Sequence, residues 1–217
     1  MRNRRPSILV TGFGPFPSVP VNATVRLVAE IGTAAPARFP NHRLVTEVLP
    51  TEWRAAPRRL TALLAEHAPS AAVHFGVSQT VTGFAIERLG HNACRLALDA
   101  AGAPPAADVL HVDGPAHRET RLPVAEIVRR LTALRLPVSV SEDAGRYLCN
   151  AVLYHSLAQA EAGKVAVAGF VHIPAAIGDH PGAPLNWSDA VLGALEIISA
   201  TLDATDAHNS DHAFTGR

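Results

Sequence analysis

Residues 165–173 read Val-Ala-Val-Ala-Gly-Phe-Val-His-Ile, a run whose only strongly polar side chain is His172. Its length suits a strand and falls far below the roughly 18 consecutive apolar residues of a membrane-spanning helix. Both alternating sets of side chains are apolar, so both faces need cover, as for a central strand sandwiched between helices. The rest of the chain supplies those layers, because runs of strand character alternate with runs of helical spacing. Strands are predicted over 7–13, 43–49, 71–77, 82–89 and 137–140. Helices are predicted over 22–31, 53–67, 123–134, 146–160 and 186–202, with Gly32 stopping the first and Ser188 capping the last. Residues 99–120, rich in Ala, Gly, Pro and Asp, read as a long loop of the kind that often carries function. The expected fold class is α/β. One three-layer α/β/α domain covers 1–217, with a twisted, mixed, mainly parallel central sheet and flexible ends at 1–6 and 203–217.

Charge and cysteine content narrow the function classes. Nineteen basic side chains balance nineteen acidic ones, and no basic stripe marks a nucleic-acid footprint; Arg2, Arg4 and Arg5 read as a solvated end. The apolar Ile8-Leu9-Val10 is broken at Thr11-Gly12, too soon for a secretory core. The two cysteines, Cys94 and Cys149, give no disulfide framework, so a cytoplasmic protein with free thiols is expected, without nucleic-acid or membrane partners.

Three residues stand out chemically. Cys149 lies between a predicted strand and a predicted helix, where unpaired backbone N–H groups and the helix dipole would stabilise a thiolate and an adjacent oxyanion. The alternative is a structural cysteine packed beside Leu148 and Val152. His172 ends the apolar strand, at the edge where open α/β sheets gather their sites; it is one of eleven histidines and could equally be a satisfied core residue. Glu87 sits in an apolar extended run and could orient an imidazole or simply pair with Arg88 at the surface. Spacing alone does not say whether the three meet.

Four motifs then fall in one order. They are Thr-Gly-Phe-Gly-Pro-Phe at 11–16 with Asn22 and Thr24, and Leu-Pro-Thr at 49–51. Next come Ile-Glu-Arg at 86–88 with Asn92, and the pair Ala-Gly-Arg-Tyr-Leu-Cys-Asn at 144–150 and Gly-Phe-Val-His-Ile-Pro at 169–174. From about residue 8 to 174 the chain resembles the pyroglutamyl peptidase I (pyrrolidone-carboxylate peptidase) family of cysteine peptidases. The resemblance implies removal of an N-terminal pyroglutamate (5-oxoproline) from peptides, without metal or cofactor. It implies Cys149 as nucleophile, His172 as proton carrier and Glu87 as the acid orienting His172. Phe13 and Phe16 match the aromatic residues that sandwich the lactam ring, and Asn22, Thr51, Tyr147 and Leu148 match positions lining or supporting that pocket. It also implies a homo-oligomer, by analogy with tetrameric bacterial relatives.

The chain departs from the family pattern at Ala23, at Pro17-Ser18, and at Thr80-Val81, where many members have Gly-Arg. A family Arg beyond the Glu has no clean counterpart, Arg95 being the nearest substitute. Gly12-Phe13-Gly14 hints at a dinucleotide turn, but Pro15 and Pro17 spoil it, and no Cys-x-x-Cys supports thiol redox chemistry. The main alternative to a peptidase is a silent relative that binds pyroglutamyl peptides or assembles without turnover.

Overall fold

The computed structural model describes residues 5–16, 19–178 and 182–215; Arg2, Arg4 and the Pro17-Ser18 replacement lie outside them. Its strands are β1 (Ser7–Phe13), β2 (Arg43–Leu49), β3 (Ala71–Ser78), β4 (Phe84–Glu87), β5 (Leu89–His91), β6 (His117–Glu119), β7 (Val138–Ser141) and β8 (Val167–Pro174). Its helices are α1 (Ala23–Arg38), α2 (Ala55–His67), α3 (Val124–Ala133), α4 (Leu148–Glu161) and α5 (Trp187–Thr215). Six strands form one sheet in the order β2-β1-β3-β8-β4-β7, parallel except where β4 meets β8.

Side-chain alternation divides the core in two. Ile8, Val10, Val73, Phe75, Val171 and Ile173 point to one face, under Leu27 and Ile31 of α1, Ile127 and Leu131 of α3, and Ile198 of α5. Leu9, Phe13, Ala72, Ala168 and Phe170 point to the other, under Leu60 and Leu63 of α2 and Val152 and Leu157 of α4. Every residue of β8 is buried, in keeping with a strand covered on both faces. On the second face α2 packs mainly on β1 and β2, and α4 on β3 and β8. The β4–β7 end of that face is left open as a cleft floored by Ala85, Ser139 and Ser141.

Several boundaries differ from those expected. Helix α1 runs through Gly32 to Arg38, because Gly32 lies under Thr46 of β2 and serves close helix–strand packing rather than termination. The cap of α5 is Asn186, not Ser188: its Oδ1 accepts from Asp189 N at 2.8 Å. Helix α5 also continues past residue 202 to Thr215. There Thr205 is buried, and Asp203 pairs with Arg130 of α3 at 2.7 Å, so the start of the segment read as a patternless end is tied to the fold. The 82–89 run divides into β4 and β5, and β5 pairs antiparallel with β6, a strand inside the segment read as loop. Among the described residues no helix is long and apolar enough to cross a membrane.

Candidate active site

The second face of the sheet carries His172 on β8 and Glu87 on β4, both almost fully buried. Because β4 runs against β8 with Ala85 opposite His172 and Glu87 opposite Phe170, Glu87 and His172 are diagonal neighbours on one face. Glu87 Oε1 lies 2.7 Å from His172 Nδ1, which fixes the ring and leaves Nε2 as its other proton position. Glu87 Oε2 is buried without a hydrogen-bond partner.

Cys149 reaches the same point from above. Tyr147, extended at φ −117° and ψ −159°, precedes helix α4, so Cys149 falls in the first turn. That turn has no side-chain cap, so its N–H groups remain available to a developing negative charge. Cys149 and His172 line the same cleft, close enough for the thiol to act on the ring's proton. Burial, the largest influence on His172, opposes its positive charge, but Cys149 and then Glu87, by charge and hydrogen bond, outweigh it and raise the pKa to about 10. Cys149 and Glu87 thus favour a proton on His172, which suits the ring to take the thiol's proton and return it. Room for the sulfur comes from Gly76 of β3, which pairs with His172. A Cβ built on Gly76 would lie 2.9 Å from Cys149 Sγ and 2.6 and 2.8 Å from the Phe170 ring.

A narrow recess of about 20 Å³ opens beside Cys149, lined by Phe13, Phe16, Asn22, Thr51, Tyr147 and Leu148, together with Val77. Phe13 is buried and stacks obliquely on Phe170, with centroids 6.3 Å apart. Phe16 and Tyr147 line the recess as well, their ring centroids 5.9 Å apart. Asn22 and Thr51 act on the backbone, since Asn22 Nδ2 and Thr51 Oγ1 both donate to the Gly14 carbonyl, at 3.1 and 2.8 Å. They hold the turn that joins the two phenylalanines, and Asn22 Oδ1 also accepts from Thr24 N to start α1.

Further residues support this recess, some of them from the segment read as loop. Trp53 meets Tyr147 edge to face at 5.1 Å and donates from Nε1 to Ala97 O, while Tyr147 Oη donates to Leu98 O. The buried Asp99 carboxylate accepts from the backbone N–H groups of Trp53, Ala101 and Ala103. Those bonds outweigh the opposing effect of burial and keep its pKa low. Asn92 likewise organises residues 110–114 through four backbone bonds. Gly76, Val77 and Trp53 escaped the sequence reading. Gly76 alone had a signal, a lone glycine inside a strand pattern, which often marks a close approach.

Beyond Cys149 the recess widens into the open cleft of about 690 Å³, where Thr80, Val81 and Arg95 stand. Cys94, by contrast, is buried outside the site, its Sγ 2.8 Å from Ala107 O.

Comparison with known proteins gives a consistent picture. The family model described as "Pyroglutamyl peptidase" matches residues 6–201. The chain is 36% identical to Pyrrolidone-carboxylate peptidase 1 of Ralstonia nicotianae over 90% of this chain and 92% of that protein. It is 34% identical to human Pyroglutamyl-peptidase 1 over 94% and 93%. The pyrrolidone carboxyl peptidase of the hyperthermophile Pyrococcus furiosus superposes with a TM-score of 0.83 at 26% identity, over 92% of this chain and 99% of that one. Pyroglutamyl peptidase I of Bacillus amyloliquefaciens superposes with a TM-score of 0.77 at 27% identity, over 90% and 96%.

Proposed function

Because the chain belongs to the pyroglutamyl peptidase family of cysteine peptidases, we propose that it removes N-terminal pyroglutamate from peptides through an acyl-enzyme on Cys149. The observation that carries this reading is the meeting of Glu87, His172 and Cys149 at the mouth of a recess walled by Phe13 and Phe16. A flat, uncharged lactam gains from aromatic faces and from leaving water.

In the first half-reaction Cys149 Sγ, its proton passing to His172, attacks the carbonyl carbon that joins pyroglutamate to the next residue. Charge develops on the carbonyl oxygen, where first-turn N–H groups of α4 can stabilise it. The tetrahedral intermediate collapses as the C–N bond breaks, and His172 gives its proton to the departing amine. The neutral His172 then takes a proton from water, which attacks the thioester and releases 5-oxoproline with Cys149 restored. Glu87 keeps the ring oriented and offsets its charge throughout. Tyr147 and Leu148 seat the lactam, while Asn22 and Thr51 hold the turn between the two phenylalanines.

The test is release of a fluorescent amine from a pyroglutamyl substrate by the purified protein and by Cys149→Ala. The parent is expected to turn over and the variant to lose turnover while still binding 5-oxoproline by calorimetry. Full activity in Cys149→Ala would overturn the mechanism.

A further inference from the structure

The leaving peptide has to exit where the recess opens, into the cleft over β4 and β7. Its floor is Ala85, Ser139 and Ser141, small side chains without charge. Discrimination there must come from the rim, and the rim is charged. Glu87 is committed to His172. Asp143 is committed to Arg146 and to the N–H of Gly145. Arg95 remains: its side chain is exposed, lines the cleft, and makes no ion pair among the described residues. Its backbone is nonetheless anchored close to the nucleophile's helix, since Arg95 N donates to Arg146 O at 2.7 Å. The neighbouring Cys94 N is tied to Asp108 O at 2.7 Å, so the guanidinium hangs from a fixed segment.

Arg95 is thus the charge on the leaving side that lacks an ion-pair partner among the described residues. We propose that Arg95 is a specificity-determining residue on that side, one that favours peptides with a carboxylate directly after pyroglutamate. The carboxylate can be an acidic side chain at the next residue or the free terminus of a dipeptide. This rests on the peptidase reading above and adds to it the class of leaving group.

The experiment compares pyroglutamyl-glutamate amide, pyroglutamyl-alanine as the free acid, pyroglutamyl-alanine amide and pyroglutamyl-lysine amide as substrates of the parent, Arg95→Gln and Arg95→Lys. The readout is the ratio of kcat/KM for each charged peptide to that for the neutral amide, which is independent of the amount of folded enzyme. Relative to the parent, Arg95→Gln should lower the carboxylate-to-neutral ratio roughly two- to fivefold, the range of an exposed charge pair. It should raise the lysine-to-neutral ratio, and Arg95→Lys should restore the parent pattern. The difference should shrink at about 1 M salt, where screening is nearly complete beyond roughly 3 Å. A drop confined to the glutamate peptide assigns the contact to the side chain, and one confined to the free acid assigns it to the terminus. Unchanged ratios in Arg95→Gln, including an equal loss on all four peptides, would overturn the proposal while leaving the peptidase reading intact. Failure of the folded parent to cleave any of the four would overturn both.

Discussion

Replacing Gly76 by alanine puts one methyl group where the Cys149 sulfur and the Phe170 ring already lie, at 2.9 Å and 2.6 Å from the new carbon. Unstrained carbon contacts begin near ~3.5 Å, so the ring or the strand must yield by roughly 1 Å. Phe170 has little freedom to do so, being fully buried between Phe13 and His172, with centroids at 6.3 and 4.9 Å. The cheaper response is displacement of the thiol, which sits at the start of a helix and is only partly buried. Overpacking of this kind costs about 1–3 kcal/mol of stability. A misplacement near 1 Å at the reacting atom costs about a hundredfold in rate.

Three measurements on Gly76→Ala separate these effects: kcat on a pyroglutamyl amide, the rate of Cys149 alkylation, and the thermal midpoint. The expected result is a loss of about two orders of magnitude in kcat, slower alkylation, and a protein still folded at assay temperature. An alanine variant with parental kcat would show that the sulfur does not need that space, and the placement of Cys149 against β3 would be wrong.

Iodoacetamide at near-neutral pH should label Cys149 well before Cys94, by peptide mapping, because burial and then Asp108 push the Cys94 thiol up; equal labelling would refute an activated Cys149. Glu87→Gln should move the alkaline limb of the kcat/KM profile to lower pH, since losing the carboxylate removes one of the influences that raise His172 to about 10; an unmoved limb would show that Glu87 does not tune the ring. His74 is buried between Thr11 Oγ1 and Ser156 Oγ, each at 2.8 Å, and burial lowers its pKa from 6.5 to about 3. The unfolded chain therefore takes up a proton below pH 6.5 that the folded protein refuses, so stability present above that pH falls as pH drops, by up to about 1.4 kcal/mol per unit. Denaturant unfolding at pH 7 and 5 should show a shallower fall in His74→Asn than in the parent, and equal slopes would remove His74 from the effect.

Strand patterns were the legible part of the fold. Both β1 and β2 begin and end where the sequence predicts, and the buried run of β8 announces a sheet covered twice. Elements fixed by distant partners were not legible. Helix α1 passes Gly32 because β2 lies beneath it, and α5 extends because α3 offers Arg130 to Asp203. The β5–β6 ribbon pairs residues nearly thirty positions apart, and the intervening segment is held by Asn92 and Asp99 through backbone bonds that no local pattern encodes.

The same division runs through the site. His172 was legible because a polar residue at the end of an apolar strand is conspicuous, and Cys149 because it opens a helix. Glu87 had no such mark, since a carboxylate beside an arginine is ordinary on a surface strand. Its arrival next to His172 depends on β4 running antiparallel to β8 with Ala85 opposite His172. Because the strand period is two, a slip of one residue would turn Glu87 to the face covered by α1, α3 and α5. On its other edge β4 is tied to β7, by Phe84 N donating to Pro137 O and Arg88 N donating to Ser141 O, at 2.9 and 2.7 Å. It is also held by Phe84 and Ile86, which have to be buried on the face opposite Glu87. The carboxylate is thus placed by the apolar Phe84 and Ile86 that precede it in the chain, and the same alternation carries His172 and the gap at Gly76 to the face where Cys149 arrives.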